Sequence, residues 1–138
     1  MQVLTIMQGV PGSGKSTVAK ALAQATGAII HSTDDFFMVD GVYQFDPSKL
    51  KMYHELNQLA VRKSLQNGSS VIVDNTNIKA WAARPYALMA KEFGAKIQIV
   101  SVQGQFQNEH NVPQQTIENM KSGMEHLDLD DGLMNGSV

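Results

Sequence analysis

Short apolar runs alternate with stretches of helical periodicity along this chain. We predict four β-strands from the apolar runs, at residues 3–7, 28–32, 71–73 and 95–102. The run Val71-Ile72-Val73 contains no polar position, as is typical of a strand buried on both faces of a parallel sheet. Strands that alternate with helices favour right-handed crossovers and a ligand site at the carboxyl ends of the strands. The pattern therefore predicts an α/β fold built on a parallel sheet.

Capping residues and apolar spacing place four helices between and after these strands. Ser48 is the predicted N-cap of the second helix, and Pro85 is predicted in the first turn of the third. Asp40-Gly41, between two short apolar runs, predicts a hairpin that protrudes beside the site. The helices and their apolar positions are Ser16 to about Ala25; Ser48 to Asn67, with Met52, Leu56, Leu59 and Ala60; Pro85 to Phe93; and Pro113 to Met124, with Ile117 and Met120.

The composition fits one globular domain and argues against several classes of protein. Of 138 residues, 43% are hydrophobic and 17% are charged, so we assign residues 1–127 to one domain and residues 128–138 to a flexible acidic tail. A net charge of −2 gives no bulk attraction to nucleic acid or to an anionic membrane. Cysteine is absent, and no apolar run approaches membrane-spanning length. We expect a cytoplasmic protein without a membrane partner.

The most specific chemical signal is the stretch from Gly9 to Ser16, which matches G-x-x-x-x-G-K-[ST] at every fixed position. It follows a predicted strand and opens a predicted helix, so its backbone N–H groups and the helix N-terminus can receive phosphate charge. Lys15 can reach the β- and γ-phosphates, and the Ser16 hydroxyl can bind Mg²⁺. The alternative is a glycine-rich turn with a surface lysine. The predicted nucleotide-binding residues are Gly9, Pro11, Gly12, Ser13, Gly14, Lys15, Ser16 and Thr17.

Acidic residues follow two of the other predicted strands. Asp74 ends the third strand, where a carboxylate can hold Mg²⁺ directly or through water, although an Asp there can also bond to its own turn. Asp34 and Asp35 are predicted at the end of the second strand, where adjacent side chains point to opposite faces. We assign Asp34 as the base that accepts a hydroxyl proton during in-line phosphoryl transfer. Asp35 is assigned to capping the next turn or to the acceptor.

Other side chains give weaker signals. Trp81 could stack on an acceptor base, with core packing as the alternative, and Arg84 is a candidate cation for the acceptor, with helix-surface solvation as the alternative. Ser32 and Thr33 are predicted to make local hydrogen bonds, because no histidine pairs with them in sequence. A zinc site is not indicated by the spacing of the four histidines, which are His31, His54, His110 and His126.

With these residues placed, the chain resembles the P-loop kinase family that includes polynucleotide 5′-hydroxyl kinases, and especially a small ATP-binding branch of it. The segments GVPGSGKST, STDDFF, DGVYQF, DNTNIKAW, PYALMA and HNVPQQTIENM look like that branch in order and approximate spacing, across about residues 3–126. The resemblance implies a three-layer kinase-like fold with strand order 2-3-1-4, ATP with Mg²⁺ as the donor, and a lid near residues 103–112. It also implies that Asp34 is the general base and that Asn77 lies near the phosphates or the acceptor.

The chain departs from this family at positions that usually carry positive charge. The family usually has one arginine in the lid and another before a closing Tyr-Glu, whereas this chain has Gln107 and Gly123 at those places. An arginine that neutralises the transferring phosphoryl group can contribute about 10³- to 10⁵-fold in rate. Phe36 and Phe37 stand where polynucleotide kinases tend to place an arginine that holds the acceptor's phosphate.

Three functions remain open from the sequence. The first is a phosphotransferase that moves the γ-phosphoryl group of ATP to a hydroxyl, such as the 5′ end of a nucleic acid. The second is a nucleotide-binding module with weak or no catalysis, whose affinity for a partner protein depends on the bound nucleotide. The third is a small-molecule kinase for a sugar, nucleoside or antibiotic. The lack of a guanine-specific N-K-x-D motif favours ATP as the nucleotide.

Overall fold

The computed structural model describes residues 1–104 and 112–127. Within them, parallel strands and helices alternate, and a small hairpin is inserted after the second strand. Two short 3-10 turns, at Thr33–Phe37 and Pro47–Lys49, flank the hairpin. The remaining elements are β1 (Val3–Gln8), α1 (Lys15–Thr26), β2 (Ile29–His31), β3 (Met38–Val39), β4 (Val42–Tyr43), α2 (Leu50–Gln66), β5 (Val71–Val73), α3 (Ala80–Glu92), β6 (Lys96–Ser101) and α4 (Gln114–Gly123).

The main sheet has the order β2-β5-β1-β6, and all its pairs are parallel. If only the strands of this sheet are numbered, the order is 2-3-1-4, as the family resemblance implied. β1 lies between β5 and β6, with Leu4 opposite Val71 on one side and Ile97 on the other. The carboxyl end of β1 therefore opens at the middle of the sheet edge, where ligands bind in open α/β sheets.

Helices cover both faces of the sheet and make three layers. The larger core joins α2 and α3 to one face, with Leu4, Ile6 and Val73 pointing into it. On the other face, Met7 and Ile72 pack against Ala19 of α1. All three residues of β5 are buried, because this strand has a paired strand on each side and helices on both faces. The three-layer α/β architecture predicted from the sequence is confirmed.

The α2 helix differs from its prediction in both its start and its buried face. Ser48 is not an N-cap, because it lies inside the 3-10 turn Pro47–Lys49, where the Asp46 carboxylate accepts from the Ser48 N–H at 3.0 Å. The predicted apolar face points largely to solvent. The exposed positions are Met52, Leu56 and Leu59, and the buried ones are Asn57, Val61 and Leu65.

The α3 helix begins at Ala80, so Pro85 lies inside it rather than in its first turn. A proline at that point has no N–H to give to the helix, and the prediction followed the preference of proline for the first turn. No side chain of the helix's own N-terminus caps α3. Instead the Ala80 N–H donates to Glu125 Oε1 at 2.8 Å. This cap comes from 45 residues away in sequence, so a local pattern could not reveal it.

The predicted hairpin forms around Asp40-Gly41, with β3 antiparallel to β4. Most of the predicted lid, including Gln107, and the predicted tail at residues 128–138 lie outside the described residues. Within the described ranges, no helix is both long enough and apolar enough to cross a membrane.

Candidate nucleotide and phosphoryl-transfer site

The loop between β1 and α1 has the backbone shape of a phosphate cradle. Gly12 and Gly14 adopt φ values of 84° and 91°, which side-chain-bearing residues rarely tolerate. A Cβ at Gly9 would lie 2.7 Å from Ser13 Oγ and 3.0 Å from the Val102 carbonyl oxygen, so only glycine fits there. Gly14 is the N-cap of α1 and has no side chain to cap it, which leaves the first N–H groups of the helix for a ligand.

Three predicted side chains meet where this loop faces the end of β5. Lys15 Nζ lies 2.5 Å from Asp74 Oδ1, and the Ser16 hydroxyl donates to Asp74 Oδ2 at 3.0 Å. The Lys15 and Asp74 side chains are only 11% and 8% exposed. Because Asp74 contacts both partners, the alternative that it serves only its own turn does not describe this structure. A cation, a hydroxyl and a carboxylate are thus within reach of one phosphate group.

The donor set around Asp74 suits a magnesium ion that arrives with phosphates. Mg²⁺ prefers oxygen ligands and usually keeps several from water and phosphate, needing one or two from protein. Asp74 Oδ2 and Ser16 Oγ are such oxygens, 3.0 Å apart. Among residues 1–104 and 112–127, no group of three His, Cys, Asp or Glu side chains could hold a metal alone. The two oxygens therefore fit Mg²⁺ that is also bound by the phosphates of a nucleotide.

The sequence predicted that Asp34 and Asp35 lie at the end of the second strand. In the structure they do not lie on a strand. β2 ends at His31, and Thr33–Phe37 forms a 3-10 turn, named here the acidic turn. Ser32 caps this turn, because its hydroxyl accepts from the Asp34 N–H at 3.3 Å. The argument from alternating strand faces was therefore wrong for this pair, since successive residues of a 3-10 turn are rotated by about a third of a circle.

The two carboxylates of the acidic turn have different neighbours. Asp34 Oδ1 accepts from the Tyr43 hydroxyl of the hairpin at 3.2 Å. Partial burial and the adjacent charge of Asp34 raise the pKa of Tyr43 to about 12. Partial burial also raises the pKa of Asp35, and the charges of Asp34 and Asp74 add to that rise. Asp34 thus faces the hairpin, whereas the pKa of Asp35 is influenced by the charge of Asp74 at the phosphate loop.

The three remaining predicted acceptor residues occupy different environments. Asn77 is 2% exposed and has a φ of 48°, and its Nδ2 donates to the Met7 carbonyl at 2.7 Å. It therefore pins the loop after β5 to the end of β1. Trp81 is 65% exposed on α3, so core packing does not explain it. Arg84 is partly buried on the same helix. Contact of these three with an acceptor stays a prediction.

A cavity of about 290 Å³ borders the phosphate loop and was not predicted from the sequence. Val10 of the phosphate loop forms one of its walls. Its other walls come from the segment after β6 and from the end of α4, which are more than 90 residues away in sequence. The lining residues are Val10, Val102, Gln103, Gly104, Lys121 and Met124.

The segment after α4 is hydrogen-bonded to the loop that follows β5. The Glu125 N–H donates to the Ile78 carbonyl at 2.8 Å, and Gln8 Nε2 donates to the carbonyls of Asn77 and Glu125. As a result, Lys79 Nζ lies 3.3 Å from the place that a Cβ of Gly123 would occupy. An ammonium group thus lies beside the position where the family usually carries an arginine.

A glycine-rich loop at the central strand, followed by a helix N-terminus and faced by a lysine and a carboxylate, defines a nucleotide-binding protein of the P-loop kinase-like class. The comparison with known families agrees. The model described as an AAA domain matches residues 4–105, and the chain belongs to that family. NEDD4-binding protein 2 of Homo sapiens is 39% identical over 97 residues, which is 69% of this chain and 6% of that protein.

Solved structures share the fold at lower identity. A chain of the Pnkp1/Rnl/Hen1 RNA repair complex aligns with a TM-score of 0.70 and 23% identity, covering 88% of this chain and 43% of that one. Kti12 of Chaetomium thermophilum, solved with ADP-AlF3, aligns with a TM-score of 0.72 and 18% identity, covering 95% and 85%. An uncharacterised protein of Mycobacterium tuberculosis is 37% identical over 86 residues. The chain spans only 6% and 17% of the human and mycobacterial relatives.

Proposed function

We propose that this domain, assigned to residues 1–127, is an ATP-dependent phosphotransferase that moves the γ-phosphoryl group to a hydroxyl acceptor. The observation that carries the proposal is the contact of Asp74 with both Lys15 and Ser16 at the mouth of the phosphate loop. This arrangement provides charge for the β- and γ-phosphates together with two oxygens for their metal ion. Kinase-like structural neighbours, including a putative kinase and a gluconokinase, support the same reaction class.

The nucleotide would lie across the carboxyl edge of the sheet. The loop amides and the N-terminus of α1 receive the phosphates, and Lys15 leaves Asp74 to contact them. Mg²⁺, held by Ser16 and Asp74 beside the phosphates, would neutralise charge that develops during transfer. The cavity beside Val10 has a volume of about 290 Å³, close to the lower end for ligand pockets, and suits the nucleotide's base.

The acceptor would approach from the side of the hairpin. In the proposed step, the acceptor oxygen forms a bond to the γ-phosphorus, the bond to the leaving ADP oxygen breaks, and Asp34 takes the acceptor's proton. The Tyr43 hydroxyl donates to Asp34 Oδ1 at 3.2 Å and so helps to orient this carboxylate. A neighbour from an RNA repair complex favours the 5′-hydroxyl of a nucleic acid as the acceptor to test first.

The test uses γ-labelled ATP with Mg²⁺ and a panel of 5′-hydroxyl DNA, 5′-hydroxyl RNA, nucleosides and sugars. We expect label on one acceptor class, none with Lys15→Ala, and a loss of at least about 100-fold with Asp34→Asn, because general bases contribute about 10²- to 10⁴-fold. Asp35→Asn is the matched control on the same turn. Loss in Asp35→Asn with full activity in Asp34→Asn would show that the base is assigned to the wrong residue.

A second function is favoured by the missing arginine at Gly123. A module with weak catalysis could bind a partner protein in one nucleotide state, and the human relative is itself named for binding NEDD4. This alternative predicts ATP binding without transfer to any acceptor, and a partner affinity that changes between ATP and ADP. A partner that binds equally with and without nucleotide would contradict it.

A further inference from the structure

A buried hydrogen-bond network lies beneath the acidic turn and reaches the loop of Asp74. Thr33, the first residue of the turn, is 4% exposed, and its N–H donates to Asn75 Oδ1 at 2.9 Å. Its hydroxyl contacts His54 Nδ1 of α2 at 3.1 Å. One residue therefore bonds to the β5–α3 loop and to α2.

Tyr86 of α3 also belongs to this network. Its ring is 1% exposed in the core, and its hydroxyl accepts from Asn57 Nδ2 at 2.9 Å and from Asn75 Nδ2 at 3.5 Å. Asn75 is the residue after Asp74 and also accepts from the Thr33 backbone. Asn75 thus connects Thr33 of the acidic turn to the Tyr86 hydroxyl, and it lies next to the carboxylate at the phosphate loop.

The directions of these bonds are consistent with one arrangement. The Tyr86 hydroxyl accepts from two amides, and the Thr33 hydroxyl proton can go to His54 Nδ1. Burial lowers the pKa of His54, although Asp34 opposes this, so the neutral ring can accept. Asn57 Oδ1 is buried without a partner among the described residues. Burying such an atom is unfavourable, and core packing alone does not require an asparagine at this position.

We propose that the Tyr86 hydroxyl is a positioning group for phosphoryl transfer, which holds the Asp34-bearing turn in register with the Asp74 loop through Thr33 and Asn75. This inference rests on the proposed function, because it assigns the base and the phosphate-side carboxylate to the two segments that the network joins. A shift of about 1 Å between such segments can cost about 100-fold in rate. Tyr86 itself does not contact the substrate.

The test compares two tyrosines that pack near the same turn. Tyr86→Phe keeps the buried ring and removes the hydroxyl. Tyr53→Phe is the matched control, since the Tyr53 ring packs at 4.6 Å from the Phe37 ring and its hydroxyl makes no hydrogen bond within residues 1–104 and 112–127. Thr33→Val and Thr33→Ser form a second pair, in which only Ser retains the hydroxyl. Each variant is measured by hydrogen exchange over residues 33–37 and by the kcat and ATP KM of transfer.

We expect Tyr86→Phe and Thr33→Val to speed exchange in the acidic turn by about threefold to tenfold, from the net loss of one hydrogen bond. They should lower kcat by about 10- to 100-fold and leave the ATP KM within about twofold. Tyr53→Phe and Thr33→Ser should resemble the unmodified chain. Unchanged exchange in the turn, or equal losses in kcat and ATP affinity, would overturn the proposal.

The two readouts separate this inference from the proposed function. If the unmodified chain transfers phosphate to no acceptor, the proposed function fails, and exchange in the acidic turn still decides whether Tyr86 positions it. If transfer occurs and Tyr86→Phe retains full kcat, the positioning role fails while the kinase assignment stands.

Discussion

The Lys15 ammonium group forms an ion pair with the Asp74 carboxylate and lies where nucleotide phosphates are expected. We expect Lys15→Ala to weaken ATP binding by about 10- to 150-fold, since a hydrogen bond to a charged group contributes about 1.5–3 kcal/mol. Titration calorimetry with Mg²⁺ and ATP measures the change. Lys20→Ala, on the exposed side of the same helix, is the control and should bind normally. Equal affinities in the two variants would refute the role of Lys15.

Two half-buried histidines give stability a dependence on pH. Burial lowers the pKa of His31 and of His54, although nearby aspartates oppose this in both cases. A base whose pKa is depressed by folding contributes stability that is present above its unfolded pKa, about 6.5, and is lost as the pH falls through the folded value. We therefore expect a lower free energy of unfolding at pH 5 than at pH 7.5.

Urea unfolding at the two pH values measures this loss. His54→Gln should make the loss smaller, because the neutral amide does not titrate, and His126→Gln at an exposed position should leave it as it is. If the free energy of unfolding falls equally in the unmodified chain, in His54→Gln and in His126→Gln, the pH dependence comes from other groups.

At the scale of residues, the phosphate loop and Asp74 could be predicted, whereas the acidic pair could not be oriented. Lys15, Ser16 and Asp74 follow strands whose carboxyl ends the fold brings together, so their meeting follows from topology. The environment of Asp34 depends on a 3-10 turn and on a hydroxyl from the hairpin. Neither has a periodic signal in the sequence.

At the scale of elements, the loop after β5 and the end of α4 act as one unit. The Ala80 N–H donates to the Glu125 carboxylate, and the Glu125 N–H donates to the Ile78 carbonyl. These two hydrogen bonds place the Lys79 ammonium beside Gly123. We expect this ammonium to supply part of the positive charge that an arginine at position 123 would bring to the nucleotide. Lys79→Ala should therefore weaken ATP binding, by less than Lys15→Ala does.

Moving the positive charge from position 79 to position 123 tests this expectation. Gly123→Arg alone should add little to ATP affinity, because its side chain would begin 3.3 Å from Lys79 Nζ and the two cations would repel each other. The double variant Lys79→Ala with Gly123→Arg should recover most of the affinity that Lys79→Ala loses. Lys91→Ala, exposed at the end of α3, is the control. Failure of the double variant to recover affinity, while it stays folded, would exclude Lys79 from nucleotide binding.

The types of the main elements followed from the sequence, but two helix starts and one buried face did not. α3 is capped by Glu125, and α2 turns Met52, Leu56 and Leu59 outward while Asn57 is buried. Periodicity identifies an apolar stripe but not the sheet that a helix packs on, and here a polar asparagine is needed inside to bond Tyr86. Tertiary hydrogen bonds therefore help to determine the helix start and the buried face that local sequence patterns did not predict.

At the scale of the whole molecule, strand order could be predicted because parallel β-α units permit few arrangements. The order β2-β5-β1-β6 places the phosphate loop on an inner strand, so β1, α1 and the loop after β5 meet at one ligand site. A ligand that joins these segments should stabilise the domain as a unit. This coupling makes thermal unfolding a direct measure of nucleotide binding.

We therefore expect Mg²⁺ with ATP to raise the melting temperature of the chain. At a concentration 100 times the Kd, binding adds about 2.7 kcal/mol, which corresponds to roughly 10 °C for a domain of this size. GTP should produce a smaller shift, and chelation of Mg²⁺ should remove much of the effect. Lys15→Ala should show little shift with either nucleotide, and an equal shift in that variant would mean that ATP stabilises the domain from another site.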